Sequence, residues 1–128
     1  MSGSNLLSIE LKDNRTALEP GETVVGEASW QVDHAKSVQV RLFWYTGGQG
    51  TRDVQIIESK PIADPPPAGQ TSFSFQLPDE PYSFSGKLIS LIWAVELVIE
   101  PGDHSTRAEF VMSPGGREIL LGVAPEEK

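Results

Sequence analysis

The chain has 128 residues, a length that fits one domain with a core of its own. It contains no cysteine, which excludes disulfides, thiolate metal sites and thiol nucleophiles. Its formal net charge of −8 and its scattered basic residues argue against a nucleic-acid partner and against an anionic lipid surface, because both repel a negatively charged protein.

The first part of the chain shows the period-two alternation of half-buried strands. Residues 7–11 alternate apolar and polar side chains and predict a first strand. A turn is predicted at Pro20-Gly21, where proline presets φ and glycine accepts a positive φ. The second strand covers residues 24–30, and Gly26 on its apolar face indicates that a bulky group packs over it.

Two strands and a proline-rich loop are predicted next. The inward face of the third strand carries Val38, Val40, Leu42 and Trp44. A flexible glycine-rich turn at residues 47–50 leads into a fourth strand over residues 54–57. Pro61 and the prolines at 65–67 predict a loop with polyproline character, because proline donates no hydrogen bond to a ladder.

Three further strands follow in the second half of the chain. Alternation predicts strands over residues 73–77 and 106–112. Residues 88–99 are the strongest strand, with Glu96 on its wetter face. The apolar tail, residues 117–123, is expected to dock on its own domain as an added edge strand, and its presentation to a partner is the alternative.

These segments predict an all-β fold, an immunoglobulin-like antiparallel sandwich of two sheets and about seven strands. Residues 1–128 are expected to form a single domain, with a core over 5–113 and a tail over 114–128. Six aromatic residues are expected to anchor the core: Trp30, Trp44, Phe73, Phe75, Trp93 and Phe110.

The start of the chain lacks the basic and apolar regions of a signal peptide. The longest apolar stretch, residues 88–99, is too short to span a bilayer. A cytoplasmic protein without membrane insertion is therefore expected.

Two stretches resemble the arrestin-like family. Residues 18–30, LEPGETVVGEASW, are similar to its Pro-Gly-Glu turn followed by a glycine-containing strand. Residues 75–86, FQLPDEPYSFSG, are similar to its Phe-x-Leu-Pro segment and the turn after it, and Trp93 stands where the family usually has tyrosine. Bacterial proteins related to sporulation-control factors look similar more loosely. The resemblance implies one arrestin-type sandwich with an adaptor role. Arrestins proper have two such domains, so inter-domain switching and receptor selection are not implied here. No contact residue of the family maps onto this sequence, and none is carried over.

No catalytic, metal or cofactor site is indicated by the sequence. His34 and His104 each follow an aspartate and are expected to be turn residues rather than metal ligands. No serine-nucleophile motif is present, and the turn at residues 47–50 lacks the lysine of a phosphate loop. A non-enzymatic protein without a cofactor is expected.

The outer face of the third strand is the strongest candidate for a partner contact. Arg41, Phe43 and Tyr45 share that face, and Arg52 lies nearby across the turn. Aromatic residues and arginine are favoured at interface hot spots. These residues predict a protein-interaction or scaffold module that binds an unidentified protein or a second copy of itself.

Two alternatives stay open for the same surface. The tail or a loop could cover these rings, which would make them structural. The domain could instead bind a small ligand such as a carbohydrate, for which Phe43, Tyr45 and Tyr82 are the candidate platform. A carbohydrate platform requires solvent-exposed rings, so the burial of these side chains discriminates between the hypotheses.

Overall fold

The computed structural model describes residues 6–48, 53–85, 89–102, 104–116 and 119–120. Within these ranges the chain forms two 3-10 turns and ten strands, and no α-helix. The strands are β1 (Leu6–Leu11), β2 (Ala17–Leu18), β3 (Thr23–Gln31), β4 (Ser37–Gly48), β5 (Val54–Ile62), β6 (Ala68–Gln76), β7 (Phe84–Ser85), β8 (Ile89–Glu100), β9 (His104–Met112) and β10 (Ile119–Leu120). No helix in these ranges is long and apolar enough to cross a membrane.

The strands form two sheets that pack as a sandwich. One sheet has three strands in the order β1-β3-β6. The other has seven, with β10-β7-β8-β4-β5 as its main path, β9 paired to β8, and β2 paired to β9. The seven longer strands match the number predicted from the alternation pattern. Their mutual pairs are antiparallel as expected, whereas the short β2–β9 and β7–β10 pairs are parallel.

A single apolar cluster between the sheets supplies most of the core. Five of the six expected aromatic anchors are buried in it: Trp30, Phe73, Phe75, Trp93 and Phe110. The sixth, Trp44, is partly buried and packs against the same cluster. Trp93 at the centre of β8 is completely buried, and its ring centroid lies 6.3 Å from that of Phe110.

Gly26 lies where two parts of the small sheet approach each other closely. A Cβ atom at this position would lie 2.2 Å from the carbonyl oxygen of Glu10 on β1 and 2.6 Å from Cζ of Phe73 on β6. No side chain larger than hydrogen fits there without displacing the backbone. The prediction that a bulky group packs over Gly26 is confirmed.

The two stretches that resemble the arrestin-like family, residues 18–30 and 75–86, are hydrogen-bonded to each other. Gly21 has a φ of 81°, which suits the predicted turn. Its amide donates to the carbonyl oxygen of Pro78 at 3.3 Å. The amide of Leu77 donates to the carbonyl oxygen of Glu22 at 2.9 Å. The second stretch is fixed at a further point, because Ser83 is buried and its Oγ accepts a 3.0 Å hydrogen bond from the amide of Met112. Both stretches therefore have a structural role.

Several details differ from the sequence prediction. β4 extends through Gly47 and Gly48 of the predicted turn, and β6 begins at Ala68 rather than at residue 73. β5 continues through Pro61 to Ile62, although the sequence predicts a loop there. The strand tolerates proline because β5 is at the edge of its sheet, where the missing N–H can face the unpaired side. His104 is the first residue of β9 rather than a turn residue, whereas His34 lies in an exposed loop.

The tail returns to the domain at Ile119 and Leu120. These residues form β10 and pair with Phe84 and Ser85 of β7 at the far edge of the seven-stranded sheet. This agrees with the predicted docking as an edge strand. Residues 117–118 and 121–123 lie outside the described residues.

Candidate interaction surface

The candidate partner residues of β4 lie on the outer face of the seven-stranded sheet. They alternate with Leu42, which is completely buried in the core. Phe43 pairs opposite Ile56 of β5, and Tyr45 pairs opposite Val54. Five residues define this region, here called the β4–β5 face: Arg41, Phe43, Tyr45, Val54 and Ile56. Arg52, the fourth predicted contact residue, lies outside the described residues.

The two aromatic rings form the floor of the β4–β5 face. Phe43 is 5% exposed and Tyr45 is 8% exposed. Their rings stack with a centroid distance of 5.9 Å and pack with Ala94 and Ile92 of β8. This small apolar cluster is separate from the main core. Little of either ring is therefore open to a partner.

Polar contacts hold Tyr45 in place. Its hydroxyl donates a 2.5 Å hydrogen bond to Oε2 of Glu109 on β9. The guanidinium of Arg107 lies 4.7 Å from the centroid of the same ring, a cation–π distance. Arg107 also lies 3.6 Å from Oε2 of Glu109, so the three side chains form one network. The floor is therefore preorganised, which lowers the entropy lost on binding.

Exposed apolar side chains on β5 rise beside this floor. Val54 is 56% exposed and Ile56 is 45% exposed, and Ile57 at the bulge opposite Leu42 and Phe43 is 39% exposed. No strand of the described chain pairs with the outer side of β5. The sequence does not single out these residues, because only the register of β5 against β4 shows that Val54 and Ile56 share a face with the aromatic rings.

Arg41 ends the β4–β5 face on the polar side. It is half-buried, opposite Ser59 of β5 and Glu96 of β8. Its Nε atom is buried and has no hydrogen-bond partner among the described residues. A buried N–H without an acceptor is uncommon in proteins and destabilising, so this atom calls for an explanation.

Other parts of the surface offer less chemistry. A concavity of about 370 Å³ lies at one end of the small sheet, lined by polar residues that include Glu10, Lys12, Asp13 and Glu27. Across the described ranges, no three His, Cys, Asp or Glu residues come together as metal ligands would.

The fold has a solved counterpart. The structure of Spo0M, the sporulation control protein from Bacillus subtilis, superposes with a TM-score of 0.61 and 19% sequence identity. The match covers 88% of this chain and 50% of Spo0M, so this chain spans about half the length of that protein. At this identity the similarity shows that the two share a fold and no more.

Weaker matches fall within larger enzymes. A β-glucosidase from Listeria innocua in complex with isofagomine gives a TM-score of 0.48 at 16% identity, and the match covers 91% of this chain and 17% of the enzyme. The alkylpurine DNA glycosylase AlkC from Pseudomonas fluorescens gives 0.42 at 11% identity, covering 84% and 30%. Similarity at this level carries neither activity to this chain. No protein-family model and no curated protein matches the sequence.

Proposed function

We propose that this domain is a non-enzymatic protein-interaction module of the arrestin-like type, and that it binds a partner protein on the β4–β5 face. One observation carries the proposal. Val54 and Ile56 expose large apolar side chains on an unpaired edge strand, directly beside a rigid aromatic floor. Contiguous apolar surface of this kind is costly in water and is typical of interaction sites.

The edge position of β5 supplies a second means of binding. An extended segment of a partner can add to an unpaired strand through backbone hydrogen bonds, while its side chains contact alternate residues of the face. Backbone pairing needs little sequence signature. This explains why a protein with such a function shows no recognisable binding motif.

The arrestin-like assignment is supported by two findings of different kinds. The stretches at residues 18–30 and 75–86 resemble the family, and the sandwich superposes on Spo0M. We propose a cytoplasmic location. The chain has no cysteine and so forms no disulfides that would require an oxidising compartment.

The carbohydrate-binding alternative is less well supported. A sugar platform needs aromatic faces open to solvent, whereas Phe43 and Tyr45 are 5% and 8% exposed. Tyr82 is 37% exposed, but a single ring does not form a platform. A second copy of the chain is a further candidate partner, and the experiment below separates it from a different protein.

A double variant tests the proposal. Val54→Ser with Ile56→Ser removes the exposed apolar side chains and leaves the core untouched. The matched control is Leu6→Ser with Val25→Ser on the small sheet, where the side chains are 58% and 38% exposed. Tagged proteins are cross-linked mildly in native lysate, and bound proteins are quantified by mass spectrometry, with light scattering for self-association.

The proposal predicts a partner that the wild type and the control retain and the Val54/Ile56 variant loses. Loss of a dimer in light scattering would identify the second copy as that partner. Equal recovery of every bound protein by all three forms would contradict the proposal.

A further inference from the structure

The outer edge of β5, which no described strand pairs with, exposes backbone groups as well as side chains. The carbonyl oxygen of Asp53, just before β5, accepts a 2.8 Å hydrogen bond from the amide of Thr46. In an antiparallel pair, the backbone groups of successive residues point alternately toward and away from the partner strand. The N–H and C=O groups of Val54 and Ile56 therefore point away from β4. An added strand would form its first backbone hydrogen bonds with these two residues.

The side chains along this edge form two rows. Val54 and Ile56 lie on the outer side, with the aromatic rings of β4. Gln55 and Glu58 pair opposite residues of β4 that pack in the main core, so they lie on the side of the small sheet. Asp53 lies on that second side too, two residues before Gln55 in the same pairing. All five residues are exposed. An added strand would therefore meet an apolar row on one side and an acidic row, Asp53, Gln55 and Glu58, on the other.

The charge of the acidic row is not neutralised by an ion pair among the described residues. Neither Asp53 nor Glu58 takes part in one of the ion pairs that the structure shows there. β5 has one base, Lys60, which turns to the small sheet. Its Nζ donates to the carbonyl oxygen of Ser74 and lies 4.7 Å from the ring centroid of Phe75. Two carboxylates of the β5 edge thus remain available to a positively charged partner.

This charge indicates the chemistry of the occupant. Opposite charges across two neighbouring strands attract, and like charges directly opposite each other are destabilising. The whole chain has a formal net charge of −8, so its field attracts basic segments and repels acidic ones. A second copy carries the same net charge and the same acidic row, which disfavours it at this edge. In an extended segment successive side chains point to opposite sides, so basic residues would alternate with apolar ones.

We infer that the segment that binds β5 is a short extended stretch of another protein in which apolar and basic residues alternate, with apolar side chains over Val54 and Ile56 and lysine or arginine beside the acidic row. This inference rests on the proposed function and names the chemistry of the partner. The apolar row would supply contact area, whereas the acidic row would discriminate against neutral or acidic segments of the same shape.

Selection from a library of random heptapeptides displayed on phage tests the inference without a known partner. Wild-type protein is the target, and the Val54→Ser/Ile56→Ser variant removes peptides that bind elsewhere. Selected peptides are synthesised unchanged and with each lysine or arginine replaced by glutamine. Fluorescence polarisation measures their affinities at low and at high salt.

Two charge variants of the protein provide the comparison. Asp53→Asn with Glu58→Gln neutralises the acidic row. Glu10→Gln with Glu27→Gln removes an equal charge from an exposed cross-strand pair on the small sheet. The inference predicts lysine or arginine at alternate positions of the selected peptides. It predicts about fivefold weaker binding with the first variant or with the glutamine peptides, and little change with the second variant. The fivefold difference should shrink at high salt, because salt screens exposed charges.

The possible failures are distinguishable. Peptides that depend on Val54 and Ile56 but lack basic residues, or that bind the neutralised variant as tightly as wild type, would overturn the inference and leave the proposed function standing. A dimer in light scattering that the Val54→Ser/Ile56→Ser variant loses would do the same, because the occupant would then be a second copy. If no selected peptide distinguishes wild type from that variant, both the inference and the proposed binding of extended segments on this face are wrong.

Discussion

Two regions of this sandwich differ in how completely their polar groups are hydrogen-bonded and their apolar side chains are buried. Where residues 18–22 meet residues 77–83, the amides of Gly21 and Leu77 are bonded across the contact, and Oγ of Ser83 accepts from β9. On the β4–β5 face, by contrast, apolar side chains are exposed, and within the described ranges the outer edge of β5 is unpaired and Arg41 Nε lacks an acceptor. The stretches that resemble a known family therefore serve the fold, while the surface that we propose as the binding site carries no such signature.

The largest expected effect is at Trp93, which is hydrogen-bonded to the first of these two regions through Pro81. Its ring is fully buried, and its Nε1 donates to the carbonyl oxygen of Pro81 at 2.7 Å. Trp93→Ala is expected to lower the free energy of unfolding by about 3–5 kcal/mol, through the cavity and the lost hydrogen bond. Urea denaturation measures it. Trp44→Ala, directly opposite on β4 and only partly buried, is the matched control with a smaller expected loss. Equal losses would contradict the assigned burial.

A second test concerns the close approach at Gly26. Gly26→Ala places a methyl group against the backbone of β1 and the ring of Phe73, and is expected to cost about 1–3 kcal/mol by overpacking. Gly47→Ala on β4 is the control, because its nearest neighbour would be 4.0 Å away, an ordinary contact. Thermal unfolding of the two variants should differ clearly. A Gly26→Ala protein as stable as Gly47→Ala would show that β1 and β3 are further apart than described.

A smaller, pH-dependent effect is expected from the turn between β2 and β3. Glu22 accepts a hydrogen bond from Arg15, which lowers the pKa of its carboxyl from 4.5, and the 2.9 Å bond from the amide of Glu19 acts in the same direction. A carboxyl whose pKa is lower in the folded state contributes stability above its unfolded pKa, and loses it as the pH falls through the folded value. The stability difference between wild type and Glu22→Gln should therefore shrink below pH 4.5. A constant difference in urea midpoints from pH 7 to pH 3 would argue against this ion pair.

The smallest effect is expected on the β4–β5 face. Val54→Ser with Ile56→Ser should change the free energy of unfolding by about 1 kcal/mol or less, because each side chain is about half exposed and a surface substitution typically changes it by about 0.5 kcal/mol. Differential scanning calorimetry checks this. A large loss would mean that these residues support the fold, and the contrast between the two regions would fail.

Much of the fold follows from local pattern. Period-two alternation locates the seven long strands, and a glycine on an apolar face predicts the close approach at Gly26. The two-residue strands β2 and β7 escape this reasoning because they are too short to show a period. β5 was predicted too short, because proline is tolerated only at an edge, and edge position depends on how the strands assemble.

The site was only partly predictable for the same reason. Alternation places Arg41, Phe43 and Tyr45 on one face, as the structure has them. It does not predict that Arg107 and Glu109, more than 60 residues away in the chain, would hold Tyr45. Nor does it indicate that the exposed side chains would be those of Val54 and Ile56. Exposure is set by cross-strand neighbours, which a single strand does not specify.

Pro61, the next-to-last residue of β5, interrupts the hydrogen-bonding potential of this edge strand. Proline has no N–H, so its pair with Gln39 cannot be a hydrogen-bonded pair, and its nitrogen faces the unpaired side. Lys60 beside it donates to the carbonyl oxygen of Ser74 and lies 4.7 Å from the ring of Phe75, which ties this end of β5 to β6. Because Pro61 cannot donate a hydrogen bond, an added strand can pair in full only with the part of β5 that precedes it. The edge of β5 can thus pair with a short partner strand. The interruption at Pro61 opposes the pairing of longer strands, by which exposed edges nucleate aggregates.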